Sequence, residues 1–106
     1  MQRFLMGAAG VLALLPNLAV ALSEPEKRGE AIAIANCARC HAIGRYGSSP
    51  LKAAPPFRTL HERYSVTDLA EALAEGITTG HPAMPEFRLE PVEADDLIAY
   101  LRILER

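Results

Sequence analysis

Apolar positions recur at helical spacing in three stretches of this chain, and no stretch alternates long enough to read as a strand. Over Glu24 to about Cys37, Ala31, Ile32, Ala35 and Asn36 fall at helical spacings, Gly29 is the main breaker, and Ser23 with Glu26 stands at capping-box spacing. A second helix is predicted from Thr67 to Glu75. Leu69, Leu73 and Ile77 lie one turn apart there, Ser65 pairs with Asp68 as a cap, and Gly76 stands close to the end. The last helix begins near Pro91, a residue suited to a first helical position, and carries Leu97, Tyr100, Leu101 and Leu104 as a stripe. Between the first two, Gly44 to Pro56 holds Gly44, Gly47, Ser48, Ser49, Pro50, Pro55 and Pro56, and reads as a loop. Gly80 to Pro91, with His81, Pro82, Met84 and Pro85, is a second irregular segment. The pattern predicts an all-α domain of three principal helices.

Residues 1–23 read as a secretory signal peptide. Arg3 supplies the positive start, Phe4 to Leu15 is small and apolar, and Ala19-Val20-Ala21 is a small-residue cleavage site, with a second possible cut after Ser23. The apolar run is shorter than the roughly 20 residues that span a bilayer, so only an uncleaved segment would tether the domain to a membrane. The expectation is export to the periplasm, with 24–106 forming one small domain whose apolar core alone would be marginal.

Cys37-Ala38-Arg39-Cys40-His41 carries the candidate chemistry. Two thiols with two residues between them and a histidine beside the second form the pattern for covalent attachment of haem c. Each thiol can add across a porphyrin vinyl group, and His41 is then directed at the iron as its proximal ligand. A thioredoxin-like dithiol or half of a zinc site also uses Cys-x-x-Cys, but neither explains His41. These are the only cysteines, and only His61 and His81 remain among the histidines. Both thiols are then consumed by the cofactor, and one haem per chain would supply much of the missing core.

The formal net charge of −2 hides an asymmetry. From Lys27 to Arg63, seven basic residues face Glu30 and Glu62; from Tyr64 to Arg106, three basic residues face nine acidic ones. The haem-attaching half is positive, and Arg39, Arg45 and Lys52 are the leading candidates to steer a partner. The near-neutral total gives no reason to expect DNA or another nucleic acid as partner.

In the order and spacing of these features the chain resembles class I c-type cytochromes over essentially the whole of 24–106. The resemblance implies a cytochrome c fold around one covalently bound haem. It places Gly29 where a C-terminal-helix aromatic, here Tyr100, packs closely. Pro55 is similar to the family's proline whose carbonyl accepts a hydrogen bond from the proximal histidine, with Pro56 as the alternative. Met84, the only methionine after residue 23, lies in Ala83-Met84-Pro85-Glu86-Phe87, similar to the family's distal-ligand loop, with Pro82 and Pro85 restricting the backbone on either side. Ala33 in place of an aromatic, Glu90 as a cap and Ala54 before Pro55 depart from the pattern.

With His41 and Met84 filling both axial positions, no coordination site is open. The expected function is therefore one-electron transfer to and from redox protein partners docking at the haem edge, not enzymatic catalysis. Two alternatives stand: a haem subunit of a larger oxidase or dehydrogenase complex, and a peroxide- or gas-binding protein if Met84 dissociates. Leu51, Phe57, Leu60, Tyr64, Leu69, Leu73, Ile77, Phe87, Leu97 and Leu101 are the expected core and haem-packing residues. Arg58, Arg63 and Tyr64 are the expected propionate donors.

Overall fold

The computed structural model describes residues 21–77 and 83–106. Most of the expected signal peptide, through residue 20, and His81 and Pro82 lie outside the described residues.

Three α-helices form: α1 (Glu24–Asn36), α2 (Val66–Glu75) and α3 (Pro91–Ile103). Helix α1 starts where its cap is complete. The Glu26 N–H donates to Ser23 Oγ at 3.3 Å, and the Ser23 N–H donates to Glu26 Oε1 at 2.9 Å, so two end donors are satisfied reciprocally. Leu22, just before the cap, packs against the core. Helix α2 starts at the expected place, but the Ser65 side chain makes no capping bond; its main-chain oxygen accepts from Asp68 N–H instead. Gly76 ends α2 with a φ of 107°, a backbone conformation that side chains disfavour. At α3 the weak cap Glu90 is compensated by Glu93, whose Oε1 accepts from the Glu90 N–H at 3.1 Å.

The sequence pattern did not predict a 3-10 helix over Phe57–Glu62. It starts directly after Pro55-Pro56 and turns Phe57 and Leu60 into the core. No strand forms among the described residues. An isolated antiparallel bridge between Ile77 and Phe87, followed by Leu89 N–H to Leu73 C=O at 2.8 Å, folds segment 83–90 back onto α2.

Helices α1 and α3 cross at Gly29, where an added Cβ would lie 2.8 Å from Tyr100 Cβ. Ala33, which departs from the aromatic of the resembled pattern, is fully buried, so small residues let the helices approach closely. A forked ion pair supplements this contact: Arg28 Nε and Nη2 donate to the two carboxylate oxygens of buried Asp96 at 2.9 and 3.3 Å.

The core gathers Phe57, Leu60, Leu73, Leu97 and Leu101 as expected, with Leu69, Ile77 and Phe87 packed at its margin. Leu51 and Tyr64 are exposed and not part of it. They sit on polar-rich irregular chain, where an apolar residue has no helix face to turn it inward. Val66, Leu89, Ala94, Ile98, Ile103 and Leu104 complete the core instead. No helix among the described residues is long and apolar enough to cross a membrane.

Candidate haem site

Helix α1 delivers its last turn directly into the attachment motif. Cys37 is the C-cap of α1, and its carbonyl accepts from the Cys40 and His41 N–H groups at 3.1 and 2.9 Å. One tight turn therefore carries both half-buried thiols, which are not bonded to each other. Burial pushes the Cys37 thiol up to about 11, so it stays protonated at neutral pH until it is consumed in a thioether.

His41 Nδ1 lies 2.8 Å from the Pro55 carbonyl oxygen. A carbonyl only accepts, so Nδ1 carries the proton, and the Nε2 lone pair is left for a metal. Pro56 does not share this role; its oxygen accepts from Thr59 N–H and Oγ1. The Phe57 ring packs on the His41 ring at 5.0 Å between centroids, fixing the imidazole from one side.

The chain around His41 is clamped by main-chain bonds. Phe57 N–H donates to Ala42 C=O, Leu51 N–H donates to Cys40 C=O, and Ser49 Oγ accepts from Ala42 N–H at 3.0 Å. Tyr100 on α3 donates its hydroxyl to Ile43 C=O at 2.7 Å. Burial pushes the Tyr100 phenol above its usual range, so it remains a donor through neutral pH. Ser49 was not among the sequence candidates; a serine in a Gly/Ser/Pro loop carries no signal that its hydroxyl faces a particular amide.

Met84 is half-buried in segment 83–90, between exposed Ala83 and Pro85. Of the expected propionate donors, Arg63 and Tyr64 are exposed. Arg58 differs: its Nη1 is buried and has no hydrogen-bond partner among the described residues. Arg45 is not the free surface cation that its position in the loop implied. Its Nη1 and Nη2 donate to the main-chain oxygens of Arg106 and Ile103 at 2.9 and 2.6 Å, closing the end of α3.

The residues present fit a covalently held haem. Two thiols share one turn, and a histidine beside them has Nδ1 fixed by a carbonyl and Nε2 left for a metal. Among the described residues no three His, Cys, Asp or Glu side chains converge as a bare metal site.

Comparison with known proteins agrees. Residues 24–101 match the family described as cytochrome c oxidase, cbb3-type, subunit III. The chain is 31% identical over 101 residues to a cytochrome c-552 of Bradyrhizobium diazoefficiens, covering 95% of each chain. It is 35% identical over 85 residues to a cytochrome c-553-like protein of Synechocystis, covering 80% of this chain and 74% of that one. To a cytochrome c6 of Nostoc it is 37% identical over 86 residues, covering 76% and 72%. No solved structure matches significantly. The chain belongs to the class I c-type cytochromes, with the all-α cytochrome c fold and one covalently bound haem c. It is a haem c electron carrier.

Proposed function

We propose that this cytochrome is an exported, periplasmic one-electron carrier whose haem is linked through Cys37 and Cys40, with His41 and Met84 as axial ligands. The observation that carries the reading is the bond from His41 Nδ1–H to the Pro55 carbonyl at 2.8 Å, which leaves Nε2 as the metal-binding nitrogen. When bound, the haem supplies an iron that alternates between the ferric and ferrous states. Pro55 holds the His41 ring and fixes its tautomer, Phe57 keeps water from one face of it, and the clamps on Ala42 and Ile43 keep its backbone still. Those constraints are independent of oxidation state, so little must reorganise when an electron arrives. A soft thioether from Met84 opposite the imidazole would favour the ferrous form relative to a second nitrogen ligand. With His41 and Met84 both holding the iron, no coordination site would remain open to a substrate, and the chain would act as a carrier of electrons.

Its partners are redox proteins that dock where the attachment turn surfaces. The family match describes an oxidase subunit, which supports a second reading, a haem subunit held in a larger complex. Stable copurification with another chain would favour that one.

The test is the optical spectrum of the exported protein. Wild type should be low-spin in both states, with the weak red charge-transfer band of ferric iron–sulfur ligation. Met84→Ala should lose that band and lower the potential. A ferric spectrum unchanged by Met84→Ala would give the sixth position to another residue, and rapid carbon monoxide uptake by reduced wild type would replace the carrier with a gas-binding protein.

A further inference from the structure

The segment that carries Met84 is tied at its base to the end of α2. Ile77 N–H donates to Phe87 C=O at 2.8 Å and Phe87 N–H returns to Ile77 C=O at 3.3 Å, so the chain on either side of Met84 meets in one antiparallel bridge. Leu89 N–H donates to Leu73 C=O at 2.8 Å. One side chain joins these main-chain bonds. Arg88 Nη2 donates to the carbonyl of Glu75, the last residue of α2, at 3.0 Å. Carbonyls in the last turn of a helix have no partner within it and carry the negative end of its dipole, so a guanidinium there is held by charge as well as by the hydrogen bond. Helix α2 has no basic residue of its own in its last turn, and Arg88 supplies that charge from the returning segment.

Gly76 makes room for the arrangement. Glu86 Oε2 lies 3.6 Å, and Arg88 Nε and Nη2 each 3.7 Å, from where a Cβ at Gly76 would stand, so both side chains lie across the helix end. Glu86 and Arg88 form no ion pair with each other, which leaves the guanidinium directed at the carbonyl. Met84 stands three residues from the bridge. A side-chain ligand competes with outside ligands through the effective concentration at which the chain presents it, and that concentration falls as the chain holding it gains freedom. We infer that Arg88 is a positioning residue for Met84: as a latch between the returning segment and the end of α2, it limits the time for which the thioether leaves the iron. It acts through Glu75 and the Ile77–Phe87 bridge, not as a ligand.

The inference rests on Met84 as the sixth ligand, and the experiment separates the two. Arg88→Ala and Arg88→Lys holoproteins are prepared, with Lys27→Ala, on the exposed face of α1, as a control that removes the same charge elsewhere. Imidazole is added to the ferric proteins, and its replacement of methionine is followed by loss of the weak red charge-transfer band. Hydrogen exchange is read at the Ile77, Phe87 and Leu89 amides, which close the segment, and at Ile98 inside α3. Arg88→Ala should take up imidazole about twofold to fivefold faster than wild type, the factor that one exposed cation at a helix C-terminus supports. Exchange at Ile77, Phe87 and Leu89 should quicken by a similar factor while Ile98 stays unchanged, a local pattern that a general loss of stability would not produce. Arg88→Lys, which keeps the charge and a donor, should fall between the two. Lys27→Ala should match wild type in both measurements. Haem-loaded Arg88→Ala with wild-type imidazole uptake and exchange would overturn the inference and leave Met84 in place. Equal quickening at Ile98 would also overturn it, since Arg88 would then serve stability alone. A wild-type protein without the band, or a band that survives Met84→Ala, would remove Met84 from the iron and the inference with it.

Discussion

Gly29 and Asp96 meet backbone to backbone: a Cβ added at Gly29 would lie 2.0 Å from the Asp96 carbonyl oxygen. No rotamer change relieves that overlap, because the atom in the way belongs to the main chain of α3. The contact between α1 and α3 is the principal helix–helix packing of the domain, and it holds the attachment turn against the rest of the fold.

Gly29→Ala should destabilise the holoprotein although alanine is the better helix former. Alanine gains about 1 kcal/mol in helix propensity. Forcing the helices apart costs about 1–3 kcal/mol in ordinary overpacking, and a main-chain clash belongs at or above the top of that range. The net loss should be about 2 kcal/mol, or roughly 10 °C in melting temperature for a domain of this size. Thermal unfolding followed by circular dichroism measures it. An unchanged or higher melting temperature would show that α1 and α3 can separate at no cost.

Ser23 should belong to the mature protein. The structure uses its hydroxyl and its N–H in the cap of α1 and packs Leu22 on the core, so a cut after Ala21 keeps both features and a cut after Ser23 discards them. Intact mass should therefore start at Leu22, and Ser23→Ala should lose about 1 kcal/mol of stability. A mature chain beginning at Glu24 would refute the assignment.

Docking should depend on Arg39 and Lys52 more than on Arg45. Arg39 and Lys52 are exposed and make no ion pair with a described residue, whereas Arg45 is spent on the end of α3. Reversing Arg39 and Lys52 to glutamate should slow electron transfer to a partner about tenfold at low ionic strength. The difference should shrink as salt screens it. Arg45→Gln should instead lower the melting temperature with little effect on that rate. Equal rates for wild type and the double reversal at low salt would show that the positive half of the chain is only a solvated surface.

Much of the fold was legible because its signals are local. The three helices announce themselves through spacing and end residues: Ser23 and Glu26 at one start, Gly76 at one stop, Pro91 at another start. The 3-10 helix after Pro56 was not legible, since a six-residue turn has too few positions to show a period. Leu51 and Tyr64, expected in the core or against the haem, stand exposed on irregular chain, where hydrophobicity alone does not turn a side chain inward.

The sequence by itself determined the cofactor chemistry, because Cys37, Cys40 and His41 are neighbours along the chain and covalent adjacency already places them in one turn. It also determined the pairing of Gly29 with Tyr100 as a candidate contact. Only the tertiary structure decided which of two adjacent prolines holds His41, that Arg45 is bound to the end of α3, and that Tyr100 steadies Ile43. The physical reason is direction. A hydrogen bond depends on a few tenths of an ångström and on the angle at both ends, and neither exists until distant segments have packed.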